Sequence, residues 1–145
     1  LLGRPGADKA SDLLHSIADV DARSNRSVAA WLRENTPRDR PIHVWGFEPV
    51  VYFLADREPA SRYIYNVPQR VEWGREAART RLLEDLTARP PSAVVIVAND
   101  ALPDVTGDEL DSVAALEEFP ELRAFIAERY RPVFGDGDLA VHAEK

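Results

Sequence analysis

The chain has no cysteine and no methionine among its 145 residues. Disulfides, thiol nucleophiles and Cys-ligated zinc are therefore excluded. No apolar run approaches the roughly 18 residues needed to cross a bilayer. The start, Leu1-Leu2-Gly3-Arg4-Pro5, has no initiator Met and does not read as a signal peptide, so the chain is expected to be a segment of something longer. Basic residues are missing from one long stretch. No Lys or Arg occurs from Pro90 to Leu122, where eight carboxylates fall: Asp100, Asp104, Asp108, Glu109, Asp111, Glu117, Glu118 and Glu121. By contrast, twelve Arg lie between Arg23 and Arg89. The net charge of −7 argues against a duplex nucleic-acid partner, which needs a basic face to displace phosphate counterions, and against docking on anionic lipid. The acidic stretch reads as a solvated face. A calcium site is the alternative, but the alternating Asp/Asn ligands and central Gly of an EF-hand are absent.

What is present suffices for one domain. With 45% apolar residues, a chain of this length can bury about 68–70% of its unfolded surface. Residues 1–20 are expected to be loose or helical and residues 21–145 to form a single α/β domain. Leu13, Leu14, Ile17 and Val20, then Val28, Trp31 and Leu32, follow helical steps. An interruption is expected near Asp21 to Asn25, with Ser24 or Asn25 capping the second part, and Asn35-Thr36-Pro37 stops it. Ile42 to Trp45 reads as a short strand. Glu48-Pro49 opens a helix with Pro at its first position, where the missing N–H costs nothing. Arg62 to Tyr65 reads as a second strand, so that residues 42–68 form a compact βαβ unit. Glu72 to Arg89 is the clearest helix, with Ala78, Leu82, Leu83 and Leu86 on one face and an Asp85–Arg89 pair on another. Ala93 to Val97 is a β-branched strand buried on both faces. Helices are expected over Leu110 to Leu116 and Leu122 to Tyr130, and a hairpin turning at Gly135-Asp136-Gly137-Asp138 closes the chain. The alternation predicts a three-layer αβα domain with a mainly parallel sheet and a C-terminal β-hairpin.

Catalytic signatures are sparse. Neither Gly-x-Gly-x-x-Gly nor a Walker loop nor Gly-x-Ser-x-Gly is present, and no His spacing suits a metal. His15, His43 and His142 have no sequence partner that would orient a base, and each reads as structural or surface. No cofactor is implied. Asn99-Asp100 falls at the carboxyl end of a strand, where open α/β sheets place ligands. Glu48 is expected to face the same crevice. Trp45, Tyr52, Phe53, Tyr63, Tyr65 and Trp73 crowd into 29 residues. Core packing explains most of them, and a saccharide, lipid head group or larger-protein face also uses such groups. Arg57 and Arg62 bracket Pro59-Ala60-Ser61; they either hold a phosphate or pair with Asp56 and Glu58. The candidate binding set is thus Trp45, Glu48, Tyr52, Arg57, Arg62, Tyr65, Asn66, Asn99 and Asp100.

One ordered pattern goes further. Trp31-Leu32-Arg33-Glu34-Asn35-Thr36-Pro37 is followed by Val44-Trp45-Gly46 with Pro49, by Tyr52-Phe53-Leu54-Ala55-Asp56-Arg57, by Pro59-Ala60-Ser61-Arg62-Tyr63 and by Tyr65-Asn66-Val67-Pro68. Pro90-Pro91 before a Val-rich strand and Phe125 to Tyr130 before a closing hairpin complete it. Across about Asp21 to Ala143 this resembles the C-terminal soluble domain of bacterial GT-C glycosyltransferases, the family 39-like membrane proteins related to protein O-mannosyltransferases and aminoarabinose transferases. The resemblance implies a many-helix enzyme of the bacterial cytoplasmic membrane, with this domain on the extracytoplasmic side. Its implied activity is sugar transfer from a polyprenyl-phosphate donor to an acceptor. The family's catalytic Asp lies in an early loop between membrane helices, and no residue here corresponds to it. The implied partners are the membrane-embedded part of the same polypeptide and a saccharide or polyprenyl-phosphate head group. Leu13 to Val20 would continue the exit from the last membrane helix. The domain's role is to cover the active site, recognise an acceptor or pack on the loops. Two other readings stand beside this one: a free-standing sugar- or anion-binding α/β module, and a small hydrolase using Glu48 or Asp100.

Overall fold

A computed structural model describes residues 22–145; the expectations for residues 1–20, including His15, lie outside them. Helix α1 covers residues 22–35. It is followed by β1 (His43–Trp45), α2 (Val50–Ala55), a 3-10 turn (Val67–Gln69), α3 (Arg75–Ala88) and β2 (Ala93–Val97). Then come α4 (Pro103–Thr106), α5 (Ser112–Glu117), α6 (Pro120–Arg129), β3 (Tyr130–Asp136) and β4 (Leu139–Glu144). The four strands form one sheet in the order β1-β2-β4-β3. β1 and β2 run parallel, whereas β4 pairs antiparallel with both β2 and β3.

The α/β class and the closing hairpin stand as expected. The mainly parallel sheet is corrected to one parallel pair out of three, because residues 62–65 form no strand. Ser61 Oγ accepts the Tyr63 N–H at 3.0 Å, and the Arg62 N–H goes to the Asp85 carboxylate at 3.0 Å. Side chains thus take the amides that a ladder would need. An isolated parallel bridge between Ile42 and Pro59 forms instead, ahead of the expected strand. There the Ile42 N–H reaches Glu58 O, and the Ala60 N–H reaches Ile42 O.

Two apolar cores sandwich the sheet. On one face Val28, Ala29 and Leu32 of α1 and Val51, Tyr52 and Ala55 of α2 cover Val44, Val95, Val97, Leu139 and Val141. On the other, Leu82 and Leu86 of α3, Ala115 and Leu116 of α5, and Leu122, Phe125 and Ile126 of α6 cover Trp45 and Val94. Strand residues alternate between the two, as the pleat demands, which explains why Ala93 to Val97 is continuously apolar. Trp31 stacks on Phe134 at 5.8 Å, tying α1 to the hairpin.

Local chemistry corrects two further expectations. Ser24 and Asn25 lie inside α1 rather than capping it, and their side chains reach Asp136 and Glu48 instead. Asp85 does not pair with Arg89. It takes Arg62 in a fork of 3.0 and 2.9 Å, while Arg89 takes Glu58 at 2.5 Å. A short helix, α4, fills the segment after Asn99-Asp100 with Pro103 in its first turn. Among the described residues no helix is long and apolar enough to cross a membrane.

Candidate functional site

A crevice of about 260 Å³ opens at the carboxyl ends of β1 and β2. Ser24, Phe47, Glu48, Asn99, Asp100 and Asp138 are among the residues that line it. Its position follows from the sequence. β1 is followed by Gly46, whose backbone lies so close to β2 that a Cβ there would run into the Val97 side chain and come within 3.2 Å of Asp100 Oδ2. Glycine lets the chain turn away against its neighbour. Just beyond the end of β2 lies Asn99, held at a φ of 57°, a left-handed conformation that Asn tolerates better than most residues.

The polar groups of the crevice are bonded to their own chain. Asp100 Oδ1 accepts the Ser112 N–H at 2.6 Å, while Oδ2 accepts the Ser112 hydroxyl at 2.6 Å and the Phe47 N–H at 3.0 Å. The Asn99 side-chain amide donates to Asp138 at 2.8 Å. Glu48 accepts the Asn25 amide at 2.9 Å. Just outside, Asp111 accepts the N–H groups of Ala114 and Asn99, and these two bonds hold its carboxyl below the usual range. Asp111 thereby caps α5, and Asp100 takes the first free amide of the same helix. Among the described residues three carboxylates and no Lys or Arg line the pocket, so this lining repels phosphate and favours hydroxyl or cationic groups. Phe47 supplies an aromatic wall and contacts Tyr65, with ring centroids 5.6 Å apart. Among the described residues no three of His, Asp and Glu come together as a metal site would need.

Of the residues singled out in the sequence, Glu48, Asn99 and Asp100 meet in this crevice, and Tyr65 reaches its rim through Phe47. The others lie elsewhere. Trp45 is fully buried and donates its indole N–H to Ser112 O at 2.8 Å. Tyr52 is buried beneath α2, and its hydroxyl accepts the Val44 N–H at 2.7 Å; burial raises its pKa. Asn66 is buried and donates to the Ser112 hydroxyl at 2.8 Å. Arg57 is 7% exposed. Its guanidinium donates to the carbonyls of Arg33 and Thr36 at the end of α1 and of Ala55 and Asp56 at the end of α2. Helix carboxyl ends present unpaired carbonyls and partial negative charge, which is what Arg57 neutralises. Neither of the two roles weighed for it, phosphate or Asp56/Glu58, describes this bonding. Arg62 is committed to Asp85, whose carboxyl that guanidinium holds low.

Sequence reasoning missed Ser112, Ser24, Phe47 and Asp138. Ser112 was legible as the first residue after an Asp that precedes an apolar helical run. Asp138 was recognisable only as a turn residue. A second concavity, about 560 Å³, lies before β1 and gathers Arg38, Arg40, Arg57, Arg89, Phe53 and Glu58. Its cations are matched: Arg40 by Glu144 at 2.5 Å, Arg89 by Glu58, and Arg38 by Asp56 at 3.6 Å.

No family model matches the chain, and no curated protein matches it in sequence. Among solved structures, one similar fold is the C-terminal globular domain of an oligosaccharyltransferase from Archaeoglobus fulgidus. It is 12% identical with a TM-score of 0.47, and the alignment covers 83% of this chain and 96% of that one.

Proposed function

We propose that this chain is the non-catalytic extracytoplasmic domain of a polytopic membrane glycosyltransferase of the bacterial cytoplasmic membrane. The parent enzyme takes its sugar from a polyprenyl-phosphate donor, and this domain meets the acceptor or covers the reaction centre carried by the membrane-embedded part. The crevice of Glu48, Asn99 and Asp100, walled by Phe47, is its binding face. An acidic lining beside an aromatic ring suits the hydroxyl groups and apolar faces of a saccharide.

The observation that carries this reading is the ordered pattern from Trp31 to Pro68, taken with what its residues do. Tyr52 props Val44, Arg57 ties two helix ends together, and Trp45 and Asn66 converge on Ser112. The residues that carry the resemblance are the joints of the domain, so the pattern marks an architecture and not a reaction centre.

The natural coding sequence ahead of Leu1 tests the assignment: several spans of about 20 apolar residues each are expected. A coding sequence with none refutes it. The purified chain, given a polyprenyl-phosphate sugar and an acceptor, should show no turnover. Turnover that Asp100→Asn abolishes would establish the hydrolase reading instead.

A further inference from the structure

The sheet carries two imidazoles in one row. The registers pair His43 with Val94 and Val94 with His142, so the three side chains project from the same face of β1, β2 and β4. Val94 belongs to the core under α3, α5 and α6. His43 is 2% exposed, and among the described residues neither of its ring nitrogens has a hydrogen-bond partner. His142 is half-buried with its Nδ1 likewise without one. It lines a groove with Ile96, Val113 and Ala140, and the carboxylates of Asp136 and Asp138 line the same groove.

We propose that His43 and His142 form an acid-triggered release for the helical layer of α3, α5 and α6. Protonating His43 places a cation in an apolar core where its ring has no partner among the described residues, a costly state that the chain escapes by opening that layer; the half-buried His142 shares its groove with the carboxylates of Asp136 and Asp138 and contributes less. The charged and titratable groups of the surrounding elements are engaged elsewhere. On α3, Arg79 lies over the Phe119 ring and Asp85 holds Arg62. On α5 and α6, Glu117 holds Arg123 and Arg129 lies over Phe125. At the sheet, the Tyr130 hydroxyl donates to Pro91 O, and Glu144, two residues beyond His142, holds Arg40. Burial alone lowers the His43 pKa to about 4. Burial also lowers that of His142, against a hydrogen bond involving Ala140. The opposite face carries no imidazole among the described residues, so the release is one-sided.

Hydrogen exchange of the 145-residue chain at pH 7 and pH 5, corrected for the intrinsic pH dependence of exchange, tests this. Amides of α3 and α6 should open about 20-fold more often at pH 5 than at pH 7 from His43 alone, while amides of α1 and α2 that exchange without global unfolding keep their pH 7 protection. Unchanged exchange in α3 and α6, or equal acceleration of such amides on both faces, overturns the proposal. The double variant H43F/H142F should lose the acceleration; its persistence also overturns the proposal. If that variant does not fold, the ring resonances of the unaltered chain decide. A His43 midpoint below pH 5 supports the mechanism, and a midpoint near 6.5 refutes it.

Discussion

The two faces of the sheet are built from different materials. The face covered by α1 and α2 is the drier one: its core is mostly Val, Leu, Ile and Ala, and its buried polar side chains, on Tyr52, Arg57, Ser24 and Asn25, each make a hydrogen bond. The face covered by α3, α5 and α6 buries His43, Asn66, Gln69, Arg70 and Ser112 as well as its apolar side chains. Among the described residues, every buried side-chain nitrogen or oxygen without a partner lies on or beside that second face, except Asn25 Oδ1. A partnerless buried polar group costs about 1–3 kcal/mol. The first face therefore holds the domain together, and the second spends stability on polar positions that fix the crevice: Arg70, Asn66 and Trp45 all reach α5 or the segment just before it, and Ser112 in turn grips Asp100.

The contrast can be broken in four ways. Trp45→Ala removes the largest fully buried side chain and the tie to Ser112; the expected loss is about 3–5 kcal/mol, read from the urea midpoint at unchanged slope. Acid comes next. His43 titrates near 6.5 when unfolded and near 4 when folded, so the unfolded chain binds its proton first. Stability is complete above the higher value and falls with pH toward the lower one, by about 3 kcal/mol. His43→Phe should flatten most of that slope, and a variant with an undiminished slope would place the acid sensitivity elsewhere. On the dry face, Arg57→Lys keeps the charge but loses the planar fork, at a cost of about 2 kcal/mol. That loss should be the same at pH 7 and pH 5; a pH-dependent loss would show the two faces to be coupled. The smallest effect belongs to Trp73, 90% exposed, where replacement by Ala should change stability by less than about 0.5 kcal/mol.

The same contrast explains what could be read from sequence. The dry face obeys periodicity. Val28 and Leu32, Val51 and Ala55, and the alternation within β2 are its signature, and the layer they build was legible. On the second face the apolar period of α3 was equally plain, but Arg62 to Tyr65 looked like a strand because Tyr63 and Tyr65 alternate with Arg62 and Ile64. What decided otherwise was Asp85, twenty-three residues away, taking the Arg62 amide. No local propensity records such a partner. The parallel character of the sheet was overestimated for the same reason, since the lost strand was to have been parallel. Glu48, Asn99 and Asp100 were found because the ends of parallel strands are a topological rule. Their hydrogen-bond saturation was not, because Ser112 and Asn25 approach from other elements.

The strand order has a temporal consequence. β4 comes last of the four strands, yet it lies inside the sheet, between β2 and β3. During synthesis β2 therefore waits with one flank bare while the next forty-odd residues are made, and no ribosome-bound chain shorter than about Glu144 can close the sheet. A nascent chain stalled before Leu139 would present that Val-rich flank to chaperones, and release of the final strand would be the moment at which the domain becomes protease-resistant.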